Sequence, residues 1–121
     1  MSTKDTLGMI RKIKISIGEF IDRHSILAIK EKHGLDVGTE IEQYEGLRPG
    51  GPQYEMFFKI LYSINSQLWK LEDVKRNGVE RWSQKESDTS FMITSLNDLR
   101  YETKRRVDEF YQSEISEKKS H

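Results

Sequence analysis

Apolar positions recur along most of this chain at helical spacing. Phe57, Leu61, Ile64, Leu68 and Leu71 follow one another at alternating steps of four and three, a heptad-like stripe that Asn77-Gly78 brings to an end. Met92, Leu96, Leu99, Thr103, Val107 and Phe110 repeat the stripe further on. Earlier, Ile17, Phe20, His24, Leu27 and Ala28 project onto one helical face while Ile26 and Ile29 fall on others, the pattern of a helix covered on two sides. These patterns predict helices over residues 18–33, 53–76 and 88–111. The fold class is all-α: a three-helix bundle in which the two long stripes face each other as an antiparallel pair and the first helix completes the core.

The boundaries carry local signals. Ser16 and Glu19 have capping-box spacing, and Gly34 is a suitable left-handed terminator for the first helix. Just upstream, Ile13, Ile15 and Ile17 alternate with polar residues, which predicts a short extended N-terminal arm over 13–17 that needs a partner. Residues 35–53 hold four glycines and both prolines and read as a connection, with a short helical stretch at 39–44; Pro52 suits the first turn of the next helix. Residues 77–87 read as a surface loop with Trp82 as its aromatic anchor. The 121 residues fit a single domain, with a loose leader at 1–12 and a charged tail at 113–121 expected to fray.

Composition narrows the function. Twenty basic and twenty acidic residues cancel, so no global field draws the chain to nucleic acid or an anionic membrane, and the one basic cluster, Lys104-Arg105-Arg106, is followed by Asp108 and Glu109. The absence of cysteine removes disulfides and thiol catalysis and fits a reducing compartment. Without a long apolar run for a signal peptide or a membrane span, the expected location is cytoplasmic. No Ser, His and carboxylate set has a spacing that would assemble a nucleophile.

The informative residues are polar ones standing where apolar ones belong. Asn65 and Glu72 project into the arc of Leu61 and Leu68, within about 40° of its centre. Both are therefore expected to be partly buried, and a buried carboxylate asks for a cation, for which Arg100 between Leu96 and Val107 is the first candidate. Asn97, Lys104 and Asp108 run along the same edge. One reading is a charged network that sets the register of the helices. A second has Lys30, Arg100 and Lys104 hold an anionic small molecule, orientated by Asn65 and Asn97. A third has Glu19, Asp22, Glu72 and Asp73 supply oxygen ligands for Mg or Mn. His24, on an apolar face, and Trp69, flanking the second stripe, read as structural residues of the core and its edge.

The third reading partly resembles the all-α nucleotide pyrophosphohydrolases, whose helices carry paired acidic motifs around magnesium. Glu19-Phe20-Ile21-Asp22 is similar to one such motif and Glu42-Gln43-Tyr44-Glu45 to another, though in reversed order.

A wider resemblance covers residues 16–30 (Ser-Ile-Gly-Glu-Phe-Ile-Asp-Arg-His-Ser-Ile-Leu-Ala-Ile-Lys) and 68–76 (Leu-Trp-Lys-Leu-Glu-Asp-Val-Lys-Arg). It continues through Asn97-Asp98-Leu99-Arg100 with Lys104-Arg105 and ends at Glu117-Lys118-Lys119-Ser120. In these segments, taken in order, the chain resembles a family of small helical proteins without assigned activity from bacteria and tailed phages, notably phages of marine cyanobacteria. The family pattern closes on an aromatic residue where this chain has His121. The resemblance implies that Glu19, Asp22, Lys30, Trp69, Glu72, Asp73, Asn97, Asp98, Arg100 and Lys104 belong to a shared pattern. It further implies an ordered C-terminal tail and, for a phage-encoded member, the host-cell cytoplasm.

These observations favour a non-enzymatic binding or assembly domain with a polar cleft. Self-association into a dimer through the first helix and the 13–17 arm is expected, with an anionic small molecule as ligand and neither membrane nor nucleic acid as partner. The alternative is a divalent-metal enzyme acting on a phosphorylated or nucleotide substrate.

Overall fold

The computed structural model describes residues 15–119, with side chains through residue 112. It is all-α, with four helices among the described residues: α1 (Ile17–Lys32), α2 (Gly38–Leu47), α3 (Pro52–Arg76) and α4 (Gln84–Lys119). The part of the extended arm at residues 13–14 lies outside the described residues. Ile15 precedes the helix and packs against the core, and Ile17 is already α1's first residue.

Half of the capping box forms. The Ser16 hydroxyl accepts from the Glu19 amide at 3.1 Å, but the Glu19 carboxylate turns instead to Arg23 and Lys104. At the other end Gly34 (φ +84°) lets the Leu35 amide reach the Lys30 carbonyl and its own amide reach Glu31, a Schellman closure. The connection that follows is more ordered than its glycines suggest. α2 spans ten residues, buries Ile41 and stacks Tyr44 on Phe20 at 4.7 Å.

α2 carries the chain back so that α3 runs parallel to α1: Phe20 meets Tyr54 near the start of both helices and His33 meets Trp69 further along. α4 runs antiparallel to α3, with Phe57 against Phe110. The core is Phe20, Ile21, Tyr54, Leu61 and Val107.

Three expectations need correction. α1 ends level with Trp69, so among the described residues no third helix lies over the last two turns of α3, and Glu72 is exposed. α4's inward row runs through Thr89, Ile93, Leu96, Arg100, Lys104, Val107 and Tyr111, which leaves Met92 and Leu99 about half exposed. Trp82 anchors nothing: it is 87% exposed on a left-handed backbone (φ +67°).

Candidate functional site

A buried ionic centre holds α1, α3 and α4 together. Asp22 on α1 is fully buried (0% exposed). Its Oδ1 accepts from Arg100 Nε at 2.9 Å and from Asn65 Nδ2 at 2.9 Å; its Oδ2 accepts from Arg100 Nη2 at 2.6 Å. Lys104 Nζ stands 3.6 Å from Oδ2 and 2.5 Å from Glu19 Oε2. Because a carboxylate only accepts, it fixes the Asn65 amide with its NH2 inward. That NH2 also donates to the Ser25 hydroxyl at 2.9 Å, which in turn donates to the Asp22 carbonyl at 2.7 Å.

Burial pushes the Asp22 carboxyl up, but hydrogen bonds from Arg100 and Asn65 and the charges of Arg100 and Lys104 outweigh it and hold the group below the ordinary carboxylate range. The Lys104 hydrogen bond dominates at Glu19 and lowers it too. Arg100 therefore pairs with Asp22, where the sequence suggested Glu72. Removing one member of such a pair strands the other in a low-dielectric interior, whereas the intact pair chiefly fixes register.

α1 and α4 approach closely beside this centre. Asp108 Oδ1 accepts from the Gly18 amide at 2.7 Å, a cap for the α1 N-terminus supplied from another helix. A Cβ on Gly18 would stand 2.5 Å from the Lys104 carbonyl oxygen, so the contact requires glycine. On the other side of α1, His24 is 4% exposed and its Nδ1 shares a 2.7 Å hydrogen bond with the Tyr54 hydroxyl. Burial lowers the His24 pKa and the charge of Arg48 adds to that, while the charges of Glu45 and Glu55 oppose it. Burial also raises the Tyr54 hydroxyl well above its ordinary value.

A cleft of about 380 Å³ opens against the outer side of the ionic centre. Its apolar wall is Ile26, Ile29, Leu68 and Trp69, and its polar lining is Asn65, Glu72, Arg76, Asn97 and Arg100. Stacking on His33 (4.8 Å, 15° between planes) holds the Trp69 indole. The Arg100 side chain is 29% exposed and spends its Nε and Nη2 on Asp22, while Nη1 makes no hydrogen bond among the described residues. The Asn65 side-chain carbonyl likewise accepts none among them.

Asn65, Asn97 and Arg100 thus share one cleft. Lys104 is drawn into the ionic centre a turn away, and Lys30 lines a separate groove with Glu40 and Tyr44. The four carboxylates suggested for a metal do not converge: Asp22 and Glu19 face Arg100 and Lys104, Asp73 pairs with Arg76 at 3.3 Å, and Glu72 is exposed at the cleft. Among the described residues no group of three or more His, Cys, Asp or Glu is placed to hold a metal ion. The basic run disperses, with Arg105 paired to Glu102 and Glu109 and Arg106 to Glu102. None of the helices in the described residues is long and apolar enough to cross a membrane.

Sequence reasoning missed Ser25, and it missed Gly18 as a contact point. The signal was the row Gly18, Ile21, Asp22, Ser25 and Ile29, whose spacing puts small and apolar residues around one acid on a single face.

No protein-family model, curated protein or solved structure matches this chain.

Proposed function

We propose that this chain is a non-enzymatic helical binding domain whose cleft at the junction of α1, α3 and α4 takes a small ligand bearing an anionic group. One observation carries the reading: Arg100, held rigid by its bidentate bond to Asp22, keeps the Nη1 corner of its guanidinium without a hydrogen-bond partner among the described residues while it lines the cleft. A guanidinium fixed on one edge is preorganised to receive an acceptor on another, so little entropy is lost on binding. The cleft volume falls in the range of small-molecule sites. Asp22, Trp69, Glu72, Asn97, Arg100 and Lys104, all within the family pattern that the sequence resembles, gather in or beside this cleft. The divalent-metal reading has no comparable support, because the acids it needs face cations or stand apart.

A thermal-shift screen of the full chain with carboxylates, sugar phosphates, nucleotides and divalent ions tests the proposal. An anionic compound should raise Tm by an amount that grows with the logarithm of its concentration over Kd, and Arg100→Lys, which keeps a charge for Asp22 but loses the fork, should abolish the shift. Magnesium and manganese should leave Tm unchanged. If no anion shifts Tm, the reading fails.

A second reading, self-association, moves from α1 to α4. The apolar residues of α1 are covered within the chain, whereas Trp82, Phe91 and Tyr101 are 73–87% exposed and Met92 and Leu99 about half exposed. Of these, Phe91, Met92 and Leu99 fall within about 100° of one another on the outward side of α4 and form one apolar strip. We propose a second copy as the occupant. Light scattering should show a dimer that Phe91→Ser dissociates; a monomer across a wide concentration range rules it out.

A further inference from the structure

Building on the anion-binding reading of the cleft, we infer that its ligand is a monoanionic carboxylate with an apolar body of one or two rings, rather than a phosphate or a bare anion. Charge argues for this first. In and beside the cleft, Arg23, Arg76, Arg100 and Lys104 are matched by Glu19, Asp22, Glu72 and Asp73, so no surplus positive charge is left to hold a dianion. The exposed Glu72, itself part of the lining, repels a second negative charge.

Geometry argues next. With the Nε/Nη2 edge of Arg100 taken by Asp22, the remaining edge presents Nη1 and the second Nη2 hydrogen as two parallel donors, the fork that a carboxylate fits. Beside it, Asn65 lines the cleft with a side-chain carbonyl that accepts no hydrogen bond among the described residues, an acceptor for a hydroxyl next to the ligand's carboxylate. Finally, the wall of Ile26, Ile29, Leu68 and the His33-stacked Trp69 is apolar and rigid, and a bare anion would leave it wet.

Isothermal titration calorimetry of the full chain tests this with four probes: indole-3-acetate, acetate, inorganic phosphate and tryptamine. Indole-3-acetate is expected to bind about tenfold or more tightly than acetate or phosphate, and tryptamine should not bind. Two exposed positions give variants that leave the fold intact. Glu72→Gln should tighten indole-3-acetate by roughly two- to fivefold by removing repulsion, and Asn97→Asp should weaken it by about fivefold or more.

Acetate or phosphate binding as tightly as indole-3-acetate overturns the ligand class while leaving the anion-binding cleft standing. Tryptamine binding as well as indole-3-acetate overturns it also, and so does Glu72→Gln with unchanged affinity. If none of the anions binds a chain that is folded by circular dichroism, both readings fall.

Discussion

The two ends of the α3–α4 pair carry similar apolar spacing and come to opposite states. At one end Tyr54, Leu61 and Val107 are sealed under α1, with Asp22, Asn65 and Arg100 bonded beside them. At the other, Val74, Met92 and Phe91 stand in solvent next to an exposed Trp82. On α3 the difference is the third helix, since α1 ends at Lys32, level with Trp69, and no other described helix covers the last turns. On α4 the inward row passes through Thr89, Ile93 and Leu96 and leaves Phe91 and Met92 outside it. An apolar stripe entitles a helix to be buried, but a neighbour must be present for burial to happen. The cleft lies where the covered end gives way to the uncovered one, so that rigid walls and access to solvent coincide there.

The largest predicted effect breaks the covered end. Arg100→Ala leaves the Asp22 charge buried without its main partner and should cost about 3–5 kcal/mol in urea unfolding, whereas Glu72→Ala at the exposed end should stay within ~0.5 kcal/mol. Equal costs at the two positions would undo the comparison. Next, Gly18→Ala forces α1 away from the Lys104 carbonyl and the Asp108 cap and should cost about 1–3 kcal/mol by the same measurement.

Acid should act in two stages. The His24 pKa is lowered by burial below its unfolded value near ~6.5, so the folded state prefers the neutral ring; stability is full above that pH and declines as pH falls toward the folded value. The Asp22 and Glu19 pKa values are held below an unfolded value near ~4, so their contribution is complete above that pH and is lost as pH falls through their folded values. Unfolding free energy measured from pH 8 to 2 should show both steps, and His24→Asn should remove only the upper one. The smallest effect sharpens the other end: Met92→Ser and Leu99→Ser should each change stability by no more than ~0.5 kcal/mol. Amides of residues 72–76 and 86–92 should exchange through local openings well below the global unfolding free energy.

Much of the fold was legible in the chain. The all-α class, the extents of α1 and α3, the Gly34 and Asn77-Gly78 stops and the antiparallel long pair follow from periodicity and end signals, which act over a few residues. Helix α2 was harder to read because only Ile41, Tyr44 and Leu47 give it an inner side. Asn65 and Arg100 were legible as polar residues on apolar arcs.

Their partner was not, and neither was the fate of Glu72. Periodicity places a residue on a face of its own helix but carries no information on where the neighbouring helix stops or at what height two helices meet. Glu72 and Asn65 occupy the same arc of α3, two turns apart; only the end of α1 at Lys32 decides that Asn65 is buried and Glu72 is exposed. Asp22 and Glu19 were equally plausible acids in sequence. Packing Gly18 against Lys104 sets the depth of α1 and places Asp22 against Arg100 and Lys104. The sequence by itself determined the three main helices and that charge would enter their interface. The tertiary structure alone decided which charges pair and where a cleft is left, because both depend on distances between residues 43 and 78 positions apart along the chain.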